Sequence, residues 1–194
     1  MADLAALVEV IKRRGCREFA QPVQLSSGAW SRHFVDVKRA LADGADARLA
    51  AELLLAKVAA PFDAVGGLTM GADVVAYSLA VVAGRGVEWF SVRKVAKDRG
   101  TAQRIEGAAL GPGRRALVVE DAVTTGGSIA DAMAAVRETG AEVAAAAAIV
   151  DRGEFGPELF RREGIPYVAL LTYRDLGIPP FGSEAAGAGW SGAG

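Results

Sequence analysis

The reading of this chain turns on LVVEDAVTTGGS, residues Leu117 to Ser128. Ala116 to Val119 is a short continuous apolar run, the pattern of a strand buried on both faces, and IADAMAAVRETG, which follows Ser128, has helical spacing. Between them stand two adjacent carboxylates and a turn rich in hydroxyls and glycine. Thr124, Thr125, Gly126, Gly127 and Ser128 can present backbone N–H groups and hydroxyls at the positive end of the helix dipole, and the glycines let a phosphate come close. Glu120 and Asp121 can accept hydrogen bonds from the vicinal hydroxyls of a ribose and stabilise positive charge developing on the sugar ring. A phosphorylated ribose fits both halves. The plain alternative is a tight strand-to-helix connection with no ligand. A Walker A loop is excluded because no G-K-[ST] follows the strand, and the dinucleotide fingerprint GxGxxG is missing from this turn.

Outward from this stretch the chain keeps a rhythm of strand, loop and helix. Leu4, Leu7, Val8 and Ile11 recur at helical spacing between Asp3, a candidate N-cap, and Gly15, a candidate stop. His33 to Val37 reads as a strand and Asp46 to Ala59 as an alanine- and leucine-rich helix. Phe62 to Val65 reads as a buried strand, GGLTMGAD as a turn, VVAYSLAVVAG as a helix and Val87 to Val92 as the next strand. Beyond the central stretch come a strand over Val143 to Val150, a helix from about Pro157 to Glu163 and a strand over Tyr167 to Leu171. The expected fold class is α/β, a mainly parallel central sheet covered by helices on both faces, with ligands at the carboxyl ends of its strands. The closing GSEAAGAGWSGAG is too rich in glycine and small residues to pack well, so the domain is expected to span 1–181 and to end in a flexible tail, 182–194.

Composition narrows the function. The 194 residues are 52% hydrophobic and 23% charged, which suits one soluble domain with a sizeable core. Twenty-two basic residues against 23 acidic ones give a net charge of −1, so no global excess is available to hold nucleic acid or an anionic membrane. One cysteine, Cys16, and one histidine, His33, cannot build a disulfide framework or a Cys/His metal centre. The start, MADLAALVEVIKRRG, has neither a signal-peptide pattern nor the run of about 20 apolar residues that a membrane helix needs. A cytoplasmic protein is expected.

VVEDAVTTGGS resembles the signature for 5-phosphoribosyl 1-diphosphate (PRPP) of the type I phosphoribosyltransferases: two hydrophobic residues, two acidic residues and a Thr/Gly-rich phosphate loop. The resemblance narrows to the orotate phosphoribosyltransferase family through three further segments in that family's order, QLSSGAWSRHFVD, VGGLTMGAD and FSVRKVAKDRGTAQRIEG, which with the signature cover most of residues 20 to 155. It implies the type I phosphoribosyltransferase fold, with a small hood formed largely by the N-terminal segment. It also implies a homodimer with shared active sites, transfer of the phosphoribosyl group from PRPP to orotate, and Mg²⁺ held mainly through PRPP and diphosphate oxygens. No residue of this chain is expected to ligate the metal. The product would be orotidine 5′-phosphate, in pyrimidine nucleotide synthesis.

By the same resemblance the catalytic group comprises Arg93, Lys97, Glu120 and Asp121. PRPP contacts fall on Thr69, Arg93, Lys94, Lys97 and Arg99 and on the run Glu120, Asp121, Ala122, Val123, Thr124, Thr125, Gly126, Gly127 and Ser128. Orotate contacts fall on Ser27, Phe34, Thr124 and Arg152. The residues give these roles a physical basis. Arg93, Lys94 and Lys97 place positive charge where a diphosphate leaving group needs it, although a charge run can also be a solvated face. In GGLTMGAD, Gly66, Gly67 and Gly71 suit a sharp turn with exposed amides around Thr69 and Met70, or an ordinary strand-to-helix turn. Phe34 can lie against a flat pyrimidine or in the core, and His33 reads as structural. Arg152, at a strand end, can pair bidentately with the carboxylate of orotate or simply cap the strand. Two positions depart from the family pattern: Arg99 stands where a histidine is usual, and Ser26 where many relatives have lysine. Arginine stays charged and cannot donate a proton there, though it can bind phosphate. The rival functions are transfer to another nucleobase and a catalytically silent PRPP-sensing regulator.

Overall fold

Ala116 to Asp121 are buried without interruption, because the strand that carries them is flanked by neighbours on both sides and covered by helices on both faces. The structure, a computed structural model, describes residues 3–25, 30–95, 104–153 and 155–183. In chain order the elements are α1 (Leu4–Val10), prolonged by a π-helical turn over Ile11–Gly15, then β1 (Cys16–Gln24), β2 (Trp30–Val35), α2 (Val37–Ala40), α3 (Gly44–Lys57), β3 (Ala64–Leu68) and α4 (Gly71–Ala83). There follow β4 (Glu88–Val92), β5 (Ile105–Gly107), β6 (Arg115–Val123), α5 (Gly127–Glu138), β7 (Glu142–Asp151), α6 (Phe155–Glu163), β8 (Tyr167–Thr172) and α7 (Tyr173–Leu176).

Six strands form the main sheet in the order β5-β4-β3-β6-β7-β8, all parallel except β5, which pairs antiparallel with β4. Leu117 and Val119 pack into one cluster with Leu7, Ile11, Leu54 and Leu79, from α1 and its prolongation, α3 and α4. Ala116 and Val118 pack into the other with Ile129, Met133, Val136 and Phe160, from α5 and α6. The alternation of strand side chains thus divides one apolar run between two cores. From β3 the chain moves outward to β4 on one side and later to β6 on the other, so the direction of winding reverses between β3 and β6. A crevice at their carboxyl ends is the place where open α/β sheets take ligands.

The expected α/β class and two-faced cover are observed, with local differences. Asp3 does cap α1, its side chain accepting from Ala5 N at 2.9 Å. β6 runs on through Glu120 to Val123, so the carboxylate pair belongs to the strand and not to the turn after it. Gly66 and Gly67 lie inside β3, which starts at Ala64 rather than Phe62. Their role is therefore close packing: a Cβ on Gly67 would stand 2.1 Å from the carbonyl oxygen of Val119, and one on Gly66 would stand 2.2 Å from that of Phe90.

The N-terminal hood is a two-stranded antiparallel ribbon, β1 with β2, beside the main sheet. β1 is an element the sequence does not announce, and β2 covers Trp30–Val35 rather than His33–Val37. Among the described residues no helix is long and apolar enough to cross a membrane. Of the expected tail, 182–194, the part from 184 onward lies outside the described residues.

Candidate active site

A cleft of about 510 Å³ opens between the ends of β3 and β6. Its walls are Leu68 to Gly71 from β3 and the start of α4, Glu120 to Val123 from β6, the turn Thr124 to Ser128 with Ile129, and the side chains of Lys38 and Lys94. The turn is shaped by Gly126, which caps α5 from the left-handed region at φ 82°, a conformation that disfavours side chains other than glycine. The first hydrogen bond of the helix runs from Ala130 N to the carbonyl of Gly126 at 3.0 Å. The N–H groups of Gly127, Ser128 and Ile129, one turn earlier, have no carbonyl within the helix to meet, and they form the positive end of a twelve-residue dipole. This end faces the cleft and is built to take an anion.

Across the cleft lie the two carboxylates, Glu120 6% and Asp121 8% exposed. Asp121 is held at both oxygens: Oδ1 accepts from Ala122 N at 2.9 Å and Oδ2 from Lys38 Nζ at 3.2 Å. Oε1 of Glu120 accepts from Asp121 N at 3.3 Å, whereas its Oε2 is buried with no hydrogen-bond partner among the described residues. Burial, reinforced by the adjacent Asp121, pushes the Glu120 carboxyl up to about 9, so it keeps its proton at neutral pH. Lys38 behaves oppositely. Burial works against its charge, but Asp121, with help from Asp36 and Glu120, outweighs that and raises its pKa above the ordinary lysine value. Gly71 lets the pair converge, since a Cβ there would lie 2.5 Å from Asp121 Oδ1 and 2.9 Å from Glu120 Oε1.

Thr69 and Lys94 also border a second, wider hollow of about 790 Å³ that contains Arg93, Tyr77 and Trp89. The hollow is larger, yet the carboxylates and the helix terminus are in the cleft. The turn after β3 is fixed by Asp73, which accepts from Thr69 Oγ1 at 2.7 Å and from Ser91 Oγ at 2.8 Å, while Thr69 N donates to Val92 O at 2.8 Å. Arg93 sits at the end of β4, its N–H bonded to Arg104 O at 2.8 Å and its guanidinium 3.6 Å from Glu106.

The structure therefore gathers Thr69, Lys94, Glu120, Asp121, Ala122, Val123, Thr124, Thr125, Gly126, Gly127 and Ser128 around one cleft. Arg93 is beside it, in the wider hollow. Arg152 and Phe34 are not in its wall. The Arg152 backbone N–H bonds Val123 O at 2.8 Å, but its side chain, 2% exposed, donates to the carbonyl of His33 at 2.7 Å and faces the Phe181 ring. Arg152 thus joins the end of β7 to the hood, and His33 contributes its backbone to that joint. Phe34 is half-buried on β2 opposite Arg17. Ser26, Ser27, Lys97 and Arg99 lie outside the described residues.

Sequence reasoning missed Lys38 and Asp73. Lys38 follows the strand of the hood by three residues, and nothing in the local pattern says that its ammonium reaches a carboxylate 83 positions away. Asp73 had a weak signal, an acidic residue in the first turn of a helix four positions after a threonine.

Comparison with known proteins agrees with this geometry. Residues 39–158 match the family model described as the phosphoribosyl transferase domain. The orotate phosphoribosyltransferase of Corynebacterium glutamicum is 46% identical over 157 residues, covering 80% of this chain and 85% of that protein. The enzyme of the same name from Aquifex aeolicus is 41% identical and covers 91% of this chain and 98% of its own length. The crystal structure of Mycobacterium tuberculosis orotate phosphoribosyltransferase in complex with PRPP superposes with a TM-score of 0.72 at 36% identity, covering 90% of this chain and 99% of that one. With its parallel sheet, its paired carboxylates and its glycine-capped helix at the reversal of the strand order, the chain belongs to the phosphoribosyltransferases and, among them, to the orotate phosphoribosyltransferase family.

Proposed function

We propose that this protein transfers the 5-phosphoribosyl group from PRPP to orotate, as a cytoplasmic, Mg²⁺-assisted homodimer that makes orotidine 5′-phosphate and diphosphate. The observation that carries the reading is the pairing, across one cleft, of an anion-binding helix terminus with a carboxylate pair. The 5-phosphate takes the N–H groups of Gly127 and Ser128 and the hydroxyls of Thr124, Thr125 and Ser128. One ribose hydroxyl donates to Asp121, and another accepts from the protonated Glu120 at Oε2, a buried atom with no hydrogen-bond partner among the described residues. The diphosphate then extends toward Thr69 and Lys94. As the C1–O bond lengthens, its electron pair leaves with the diphosphate, and the Asp121 side chain beside the ring stabilises the positive charge that grows there. The nitrogen of orotate supplies the pair for the new C1–N bond, and its proton passes to water or to the departing diphosphate.

Besides the Glu120 and Asp121 pair, the wall of the cleft offers hydroxyls, amides and ammonium groups, too few anionic ligands to enclose a metal ion, which fits a Mg²⁺ carried in on substrate oxygens. When bound, that ion offsets the charge of the leaving diphosphate. Lys97 and Arg99 are assigned to the same leaving group. Arg152, which joins the end of β7 to the hood, and Phe34 on the hood strand, with Ser27, are assigned to the orotate side.

The dimer is supported by surface chemistry. Tyr77 is 57% and Val81 65% exposed on α4, and Tyr77 meets Trp89 edge to face at 6.0 Å. This apolar face adjoins the hollow that holds Arg93 and Lys94, so a partner seated on it would stand next to the diphosphate end of the cleft. Mixing Lys97→Ala with Asp121→Asn tests sharing: random exchange of equal amounts should restore activity to roughly a quarter of the sites. Heterodimers as inactive as their parents would remove the shared site.

The direct test is turnover of PRPP with orotate, uracil, adenine and xanthine in turn. Orotidine 5′-phosphate formed from orotate alone is the expected result. Transfer to another base, or PRPP binding without turnover, would replace it with one of the rival functions.

A further inference from the structure

We propose that Lys38 is a positioning residue of the transfer, one that reaches from the base of the hood to orient the Asp121 carboxylate toward the ribose. The inference rests on the reading of the cleft as a PRPP site. Asp121 Oδ1 is fixed by the N–H of Ala122 at 2.9 Å, and one bond leaves a carboxylate free to turn. The second bond, from Lys38 Nζ to Oδ2 at 3.2 Å, fixes its plane and leaves the remaining lone pairs for hydroxyl donors in the cleft. The backbone beneath Lys38 is itself rigid. Val37 and Ala40 on either side are fully buried, and Asp36 caps the helix by accepting from Arg39 N at 3.1 Å.

Asp36 also stands 3.7 Å from the ammonium, so Lys38 lies between two carboxylates rather than in open solvent. Its charge reaches Glu120 as well, where it works against the rise that burial causes. None of this is needed to hold the fold. The Lys38 side chain is 42% exposed, and a partly exposed ion pair adds little to stability. What it supplies is geometry at the carboxylate that the transfer uses. Because α2 follows the hood strand directly, it also ties that geometry to the element that carries Phe34.

The test uses the full chain with PRPP and orotate as substrates. Lys38→Met is expected to lower kcat by about tenfold or more while the KM for PRPP changes by less than about threefold. The melting temperature should stay within about 2 °C of wild type, and Lys38→Arg should recover most of the rate. In the Asp121→Asn background the same Lys38→Met change should alter the residual rate by less than about threefold, since its effect passes through Asp121. A full-sized loss in that background, a rate loss matched by a fall in melting temperature, or wild-type kcat in Lys38→Met would each overturn the inference. No product from the wild-type protein with orotate would instead overturn the orotate reading itself, and this inference with it.

Discussion

β6 and β1 are both nine residues long, yet one is obvious in the sequence and the other is not. β6, RALVVEDAV, is paired on both sides and covered on both faces, so burial demands an apolar run and the sequence shows it. β1, CREFAQPVQ, pairs only with β2, and none of its residues is fully buried. Its ladder is interrupted between Glu18 and Val23, across the stretch that holds Pro22, which cannot donate to a ladder. A strand leaves a readable pattern where it is buried; in a solvent-facing ribbon its backbone pairing leaves almost none.

Substitutions along the two regions should separate them sharply. The largest effect is expected at the cleft end of β6: Asp121→Asn should cut kcat by roughly 10²- to 10³-fold, the loss typical of a group that stabilises developing charge. Its thermal unfolding should match wild type, and a folded variant with normal turnover would break the assignment. Next comes the packing of β3 on β6. Gly67→Ala puts a methyl group against the Val119 carbonyl and should cost about 1–3 kcal/mol in chemical denaturation.

Arg152→Ala tests whether the hood and the sheet act together. Losing a charged hydrogen bond to the His33 carbonyl should cost about 1.5–3 kcal/mol and should weaken orotate saturation more than PRPP saturation. Equal loss for both substrates would place Arg152 outside the base site.

A pH series sharpens the account of the buried strand. Glu120 is raised from the ordinary 4.5 to about 9 by burial first and by Asp121 second. Between those values the folded protein keeps a proton that the unfolded chain has released. Stability is therefore greatest below the unfolded value and falls as pH rises toward 9, by at most about 1.4 kcal/mol per pH unit. Glu120→Gln should flatten that slope, and an unchanged slope would mean that Glu120 ionises normally. The smallest effect belongs to the ribbon: Glu18→Ala removes only an exposed 3.8 Å pairing with Arg32 and should change stability by less than about 0.5 kcal/mol.

The same contrast explains how much of the site was readable. The phosphate turn and both carboxylates are contiguous with a buried strand, so their chemistry was written beside a pattern that local rules can find. Lys38 and Asp73 act on residues brought to them by the fold, and no spacing announces such contacts. Gly66 and Gly67 show the opposite error. Paired glycines suggest a turn, but here they serve a strand pressed against Phe90 and Val119, a demand set by neighbours absent from the local sequence.

A crystal structure with PRPP bound would test the central claim most directly, because the molecule has two hollows that meet at Thr69 and Lys94. The account predicts the 5-phosphate on the N–H groups of Gly127 and Ser128 and the ribose hydroxyls on Asp121 and Glu120. A PRPP molecule whose ribose and 5-phosphate lie in the wider hollow, between Tyr77 and Trp89 and away from both carboxylates, would contradict it.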